Sequence, residues 1–271
     1  MPPDDSARIS PTAHYTSYVW YRHGLSDAAL ASQKGRAFYL ALVPMNRLWE
    51  RLGHRASLEQ YLLVRHRAID ELLATAIDAG QVGQVIEIAA GFSPRGFRFS
   101  RRYRATGLTY VEGDLGVVAA QKRRKLDGAG LRGPHHEVVT LDALSDGGED
   151  SLSAAAARLD PKKGTAIITE GLLGYLDRAA ARGVWRRIAQ TLARFPHGLY
   201  LSDLYIDGEL EEAPAVRVFR TLLAAFVRGK THTQADTPVE AEAALDQAGF
   251  ARVTLHEKPG SWVRILEART V

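Results

Sequence analysis

Five acids recur at one kind of position in this chain. Glu87, Asp114, Asp142, Glu170 and Asp203 each stand at or just past the end of an apolar, strand-like run. A carboxylate in that position can cap a following helix. It can also accept hydrogen bonds from a ligand at the carboxyl edge of an open α/β sheet, where such sheets bind. Five in five successive units favours the ligand, and the segments suggest its chemistry. Glu87-Ile-Ala-Ala-Gly91 is a strand running into a turn, in which Gly91 allows a positive φ and close backbone approach. Neither GxGxxG nor GxxxxGK[ST] occurs at this turn, and a turn so poor in glycine is a weak cradle for a diphosphate. An adenosine without phosphates fits it better. Asp114, followed by Leu115, ends the second run, where a carboxylate can accept both hydroxyls of a ribose. Asp142 ends the third and can accept from an adenine amino group, with neighbours such as Ala143 against the ring. Glu170 ends the fourth near the centre of such a site, with Tyr175 about one helical turn later.

The elements that must position these acids alternate. A helix starts at Ser57, a capping residue, and carries Leu58, Tyr61, Leu62, Ala68, Ile69, Leu72 and Leu73 at helical spacing as far as the glycines at 80 and 83. Strand-like runs follow at QVIEI, 108–114, 136–144, 165–173 and 198–205. Between them lie the Ala-rich 151–159 and a helical stretch through Trp185, Ile188 and Leu192. Strands alternating with helices require right-handed crossovers, hence a parallel sheet covered on both faces. FARVTLHEK and SWVRILEAR alternate in polarity around a Pro-Gly and predict an antiparallel hairpin at the end. The fold class expected is a doubly wound, mostly parallel seven-stranded α/β sheet with a C-terminal antiparallel hairpin.

Taken together, Arg65-His-Arg with Ile-Asp (65–70), EIAAGFSPRGFR (87–98), YVEGDL (110–115), LDAL (141–144) and TEGLLGYL (169–176) resemble, in order and spacing, the leucine carboxyl methyltransferase family of class I methyltransferases. That family includes phosphatase-modifying enzymes and bacterial small-molecule O-methyltransferases of the tetracenomycin-polyketide type. The resemblance implies S-adenosylmethionine as cofactor. Arg65 would meet its carboxylate, Asp114 the ribose, Asp142 the adenine and Glu170 the methionyl end, with Glu87, Gly91, Leu115 and Ala143 beside them. It also implies a helical lid over residues 1–56, a core over 57–271 and an insertion near 205–235 that helps cover the site. Two positions depart from the family pattern: Ala89 stands where glycine is frequent, and Ser93 where an acid is.

The acceptor side is less defined. Tyr15, Tyr18, Trp20, Tyr21 and Arg22 fall in one aromatic stretch that reads as a helix. Its aromatic face can line an acceptor pocket together with Tyr175, or pack on the core. Arg22, Arg95 and Arg98 are candidates to neutralise an anionic acceptor. His14, His23 and His66 are bases by type, and each reads as structural or exposed. No histidine falls in the strand-end motifs, so the acceptor expected is a small-molecule carboxylate, already ionised at neutral pH. The alternatives are a phenol or hydroxyl, and a non-catalytic cofactor-binding protein. A nicotinamide-dependent reductase would want a glycine-rich turn after the first strand and a Tyr-x-x-x-Lys pair, and the chain has neither.

Composition narrows the class. The 271 residues are 46% hydrophobic and 24% charged, ordinary for a globular protein. The absence of cysteine excludes a disulfide framework, a thiol nucleophile and Cys-ligated zinc. His135 and His136 are adjacent and point to opposite faces of a strand, so no metal is expected. The net charge is +4, and its tightest cluster, Lys122 to Lys125, reads as a solvated helix face, not a nucleic-acid surface. No run spans a bilayer and no leader is evident, so a cytoplasmic enzyme of secondary metabolism is expected, in an oligomeric state the sequence leaves open.

Overall fold

The computed structural model describes residues 11–51, 57–207, 232–258 and 263–271. Three helices come first: α1 (Pro11–Arg22), α2 (Gln33–Arg51) and α3 (Leu58–Asp78). Ser57 caps α3 in a reciprocal capping box with Gln60, as its position before the apolar stripe implied. Then β1 (Gln84–Ile88), α4 (Arg95–Arg102), β2 (Thr109–Asp114), α5 (Gly116–Gly128), β3 (His136–Thr140), α6 (Leu152–Ala156), β4 (Thr165–Thr169), α7 (Arg178–Leu192) and β5 (Gly198–Leu204) alternate. The chain closes with α8 (Pro238–Ala248), β6 (Arg252–Glu257) and β7 (Arg264–Arg269).

The seven strands form one sheet in the order β3-β2-β1-β4-β5-β7-β6. β1 to β5 pair in parallel, while β7 is antiparallel to both β5 and β6. The final hairpin therefore joins the sheet by its second strand. The Pro-Gly between its strands lies outside the described residues. Strand order reverses between β1 and β4, which opens a crevice at their carboxyl ends. Glu87 pairs with Glu112 in register, and Ile88 with Thr169.

Continuous burial in β1, β4 and β5 reflects helices on both faces. Successive side chains alternate between two cores. Val85, Tyr110, Ile168 and Leu201 pack with α1 and α3. Ile86, Val111, Ile167 and Tyr200 pack with α6, α7 and α8. β3 and β4 are shorter than their apolar runs. β3 stops at Thr140, and Asp142 turns back to accept from Leu144 N at 2.9 Å. β4 stops at Thr169, before Gly171 at φ +71°. The insertion expected near 205–235 falls mostly outside the described residues; on either side of it Ile206 bridges to Ala235 beside β5.

α1 lies on α3, with Tyr15, Val19 and Trp20 buried in the shared core. α2 lies on α1 so closely that a Cβ at Gly35 would sit 2.1 Å from His14 O. No described helix is long and apolar enough to cross a membrane.

Candidate functional site

The turn after β1 has an unusual backbone. Ala89 stands at φ +53° and Gly91 at φ +47°. Ala89 is the one non-glycine with positive φ among the described residues, a placement that costs an L-residue about 1–2 kcal/mol. Strain of this kind persists where surroundings fix it, and here Asp114 supplies part of the fixing. Its Oδ2 accepts from Gly91 N at 2.7 Å and its Oδ1 from Leu115 N at 2.8 Å, which ties the β1 turn to the start of α5. Each oxygen keeps a lone pair for a further donor. Burial pushes the Asp114 carboxyl up, against the two amides that favour its ionised form. Leu115 is partly exposed beside it. Asp142 and Ala143 are half-buried past β3, and Ala143 O accepts from Arg187 Nε at 3.1 Å.

Across the crevice, Glu170 and Asp203 hold Arg65. Its Nε donates to Glu170 Oε1 at 3.0 Å and its Nη1 to Asp203 Oδ2 at 3.1 Å. Nη1 also reaches the hydroxyls of Tyr61 and Tyr205 at 3.3 Å. Nη2 makes no hydrogen bond with the described residues. It lies beside Gly171, 2.9 Å from where a Cβ there would stand. Asp203 in turn accepts from Gly171 N at 2.7 Å and from Tyr205 Oη at 2.9 Å. Burial raises the Asp203 carboxyl and, more strongly, the Tyr205 phenol.

Behind Glu170 lies a cation the crevice does not expose. Arg95 is wholly buried and meets four partners. Nε donates to Asp70 Oδ1, Nη1 to Glu87 Oε1 and Nη2 to Glu170 Oε2, each at 2.6 Å. His66 Nδ1 is 2.9 Å from Nη2 and 2.8 Å from Glu170 Oε2. Burial opposes ionisation of Glu170, but His66, Arg95 and Arg65 outweigh it and hold its carboxyl well below the usual range. Glu87 also accepts from Tyr110 Oη at 2.8 Å, so it is enclosed beneath the turn with both oxygens bonded. Arg95 therefore does not stand at an entrance to neutralise an acceptor, as its charge suggested; three buried or half-buried acids already take it. Arg98 bonds Asp70 at 2.8 Å.

A second buried cluster corrects the reading of the basic run. Lys122 is buried, donating to Glu112 Oε1 at 2.7 Å and to Ala90 O at 3.3 Å. His136 Nε2 lies 2.9 Å from Glu112 Oε2. Burial works against the Glu112 charge, yet Lys122 and His136 lower its carboxyl. Arg123 donates to Val138 O and Lys125 to Ala29 O, so three of the four cations are spent on the fold. The sequence reading missed Lys122, Asp70 and Tyr205 as partners. The one available signal was excess: more acids along the strands than a single ligand requires, so that the buried ones among them need cations behind them.

α1 crosses the edge at its first turn. Thr12 Oγ1 and Tyr175 Oη are 2.9 Å apart. Ala13 Cβ lies 3.9 Å from a Cβ placed on Gly91. The His14 ring is 5.7 Å from Phe92, and its Nδ1 is 2.9 Å from Ser32 Oγ. Burial, with Lys34 and Lys125 nearby, lowers the His14 pKa. The expected acceptor residues are not gathered in one place. Tyr175 is at the edge, Tyr15 is packed in the core, Tyr21 is exposed, and Tyr18 and Arg22 face a separate groove with Tyr39. His23 faces Glu59 there, away from the edge.

Strand order, the antiparallel β7 and the loaded carboxyl edge define a class I methyltransferase fold. A provisionally named methyltransferase from Thermobifida fusca superposes with a TM-score of 0.65 at 15% identity, covering 98% of this chain and 96% of that one. Human N-acetylserotonin methyltransferase, solved with S-adenosylmethionine, gives 0.52 at 15% identity, covering 96% and 64%. The chain belongs to the leucine carboxyl methyltransferase family, whose model matches residues 26–189. A relative from Mycobacteroides abscessus, provisionally named an S-adenosyl-L-methionine-dependent methyltransferase, is 37% identical over 134 residues, or 49% of this chain and 41% of the relative. The chain spans about half the length of the curated relatives it matches.

Proposed function

We propose that this chain binds S-adenosylmethionine at the β1–β4 crevice and methylates an oxygen of a small-molecule carboxylate. The observation that carries the reading is Asp114, which bridges Gly91 N and Leu115 N and has a lone pair left on each oxygen for a further donor. The residues fit the cofactor. Asp114 suits ribose hydroxyls, Asp142 and Ala143 flank an adenine position, and Leu115 offers an apolar contact. Arg65 presents its one unbonded edge, Nη2, for the amino-acid carboxylate, with Gly171 leaving room. Glu170 and Glu87 serve this arrangement from behind: Glu170 orients Arg65, and Glu87 holds Arg95.

When bound, the cofactor supplies an electrophilic methyl group on a sulfonium. The chain's contribution is to hold the acceptor oxygen in line and to keep water out. Thr12, Ala13 and Tyr175 close the edge from α1 and the segment after β4, which supports residues 1–56 acting as a lid. A carboxylate with a pKa near 4 needs no proton removed at pH 7.

A second reading has its own observation. His14 is half-buried at the edge, its pKa is lowered, and its Nε2 makes no hydrogen bond with the described residues. A neutral imidazole there can take the proton of a phenol. Product analysis over matched acids and phenols separates the two. A base-labile ester, a rate flat across roughly pH 6–8 and full activity in His14→Ala support the carboxylate. An ether product, with turnover lost in His14→Ala, would establish the phenol.

A further inference from the structure

Away from the crevice, α1, α2 and the first turn of α3 enclose a groove of about 560 Å³. Arg36, Leu40, Val43 and Arg47 of α2 line it at intervals of four, three and four residues, so one face of that helix is turned to it. Tyr18, Arg22 and Tyr39 form the α1 side and the inner wall. We infer that this groove is a second small-molecule site, which takes a flat aromatic carboxylate.

Charge is the first argument. Among the described residues, three guanidinium groups face the groove against one carboxylate, Glu59. Glu59 is already engaged by His23 and by the Tyr39 hydroxyl, which donates to it at 3.3 Å. Neither Arg36 nor Arg47 forms an ion pair with a described residue, and both are exposed. Guanidinium groups with fork geometry select planar oxyanions.

The second argument is the wall. Tyr18 and Tyr39 rings lie 5.3 Å apart between centroids, and the Arg22 guanidinium carbon is 5.8 Å from the Tyr39 centroid. Leu40 stands more than half exposed at the rim, an apolar surface with no described cover. Rings, an apolar rim and guanidinium groups in one concavity suit a ligand with an aromatic body and an anionic end. The volume is that of a drug-sized ligand, whereas a membrane or a nucleic acid would want an open face. The groove lies along α1 from the crevice. Thr12 is at the edge and Arg22 in the groove, ten residues or about 15 Å of helix apart. The inference stands independently of methyl transfer.

The test is calorimetric titration of the full chain with 2-naphthoate at low salt, with the uncharged 2-naphthamide as control. The inference expects one saturable site for naphthoate, at least tenfold weaker for naphthamide. It also expects a tenfold or greater loss in Arg36→Gln/Arg47→Gln, a smaller loss in Arg36→Gln alone, and an unchanged circular dichroism spectrum. S-adenosylhomocysteine should bind wild type and double variant alike and should not displace naphthoate. Absence of saturable naphthoate binding, equal binding of the amide, an unaffected double variant, or displacement by the nucleoside would each overturn it. So would anionic vesicles binding the chain in a way the same double variant abolishes while naphthoate does not bind. Failure of S-adenosylhomocysteine to bind would count against the crevice alone.

Discussion

Replacing Arg95 by methionine keeps an unbranched apolar stem and removes the guanidinium with its charge. Asp70, Glu87 and Glu170 would then face one another around an apolar side chain, with Glu87 and Glu170 deep in the protein. Breaking a buried pair from one side typically costs about 3–5 kcal/mol, and three acids sharing one cation place the loss toward the upper end. Unfolding 271 residues carries an entropy of roughly 0.6 kcal/mol per degree near the midpoint, so a loss of about 4–5 kcal/mol lowers Tm by roughly 8 °C. The acid side supplies a second reading. Because the carboxyls of Asp70 and Glu170 are held below their ordinary values, their stabilisation is present above about pH 4 and disappears as pH falls through the depressed folded values. With Arg95 gone those values rise, and the variant has less stability to lose on acidification. Urea unfolding at pH 7 and at about pH 2 measures both quantities, and Arg95→Lys, which keeps the charge but not the fork, should fall between. A loss under 1 kcal/mol at pH 7, or parallel acid limbs in wild type and Arg95→Met, would refute the assignment of Arg95 as the cation that neutralises the core behind the crevice.

Gly171→Ala places a Cβ at φ +71° and 2.9 Å from Arg65 Nη2; it should cost about 1–2 kcal/mol of stability and weaken S-adenosylhomocysteine at least tenfold, both read by titration and thermal unfolding. Tyr200 is buried with its phenol raised to about 12, burial being the main cause, against about 10 in the unfolded chain. Stability is therefore whole below about pH 10 and falls by roughly 2–3 kcal/mol as pH rises to 12; Tyr200→Phe should flatten that alkaline limb in urea titrations. Gly91→Val should abolish cofactor binding, since a branched side chain at φ +47° strains the turn and enters the space next to Ala13.

The parallel sheet was legible because β1, β4 and β5 are apolar on both faces and each is stopped by a turn signal. Ser57 before a helical stripe announced α3 equally plainly. What could not be read locally was long-range pairing of charge. Arg95 meets Asp70, 25 residues back, and Glu170, 75 residues on. Nothing in the spacing of those residues distinguishes them from surface charges. For the same reason Lys122 looked solvated: its buried partner Glu112 sits one strand before it, and the depth of both comes from α5 lying over β2 and β3. The strand ends lie earlier than the apolar runs suggest because Ala143 and Leu144 continue past the turn at Asp142, and Leu172 and Leu173 past the turn at Gly171. The aromatic stretch divides by helical face, so that Tyr15 enters the core while Tyr18 and Arg22 reach the groove, a division only the packing of α1 on α3 settles.

The central claim is that the crevice holds a nucleoside through Asp114, and titration with S-adenosylmethionine, its demethylated product and NAD measures it most directly, in wild type and Asp114→Ala. Charge-assisted hydrogen bonds to two ribose hydroxyls are worth about 1.5–3 kcal/mol each. The account predicts one site for each sulfur nucleoside, none for NAD, and a loss of at least a hundredfold in a folded Asp114→Ala protein. Binding of NAD without response to either sulfur nucleoside, or undiminished binding by Asp114→Ala, would contradict it.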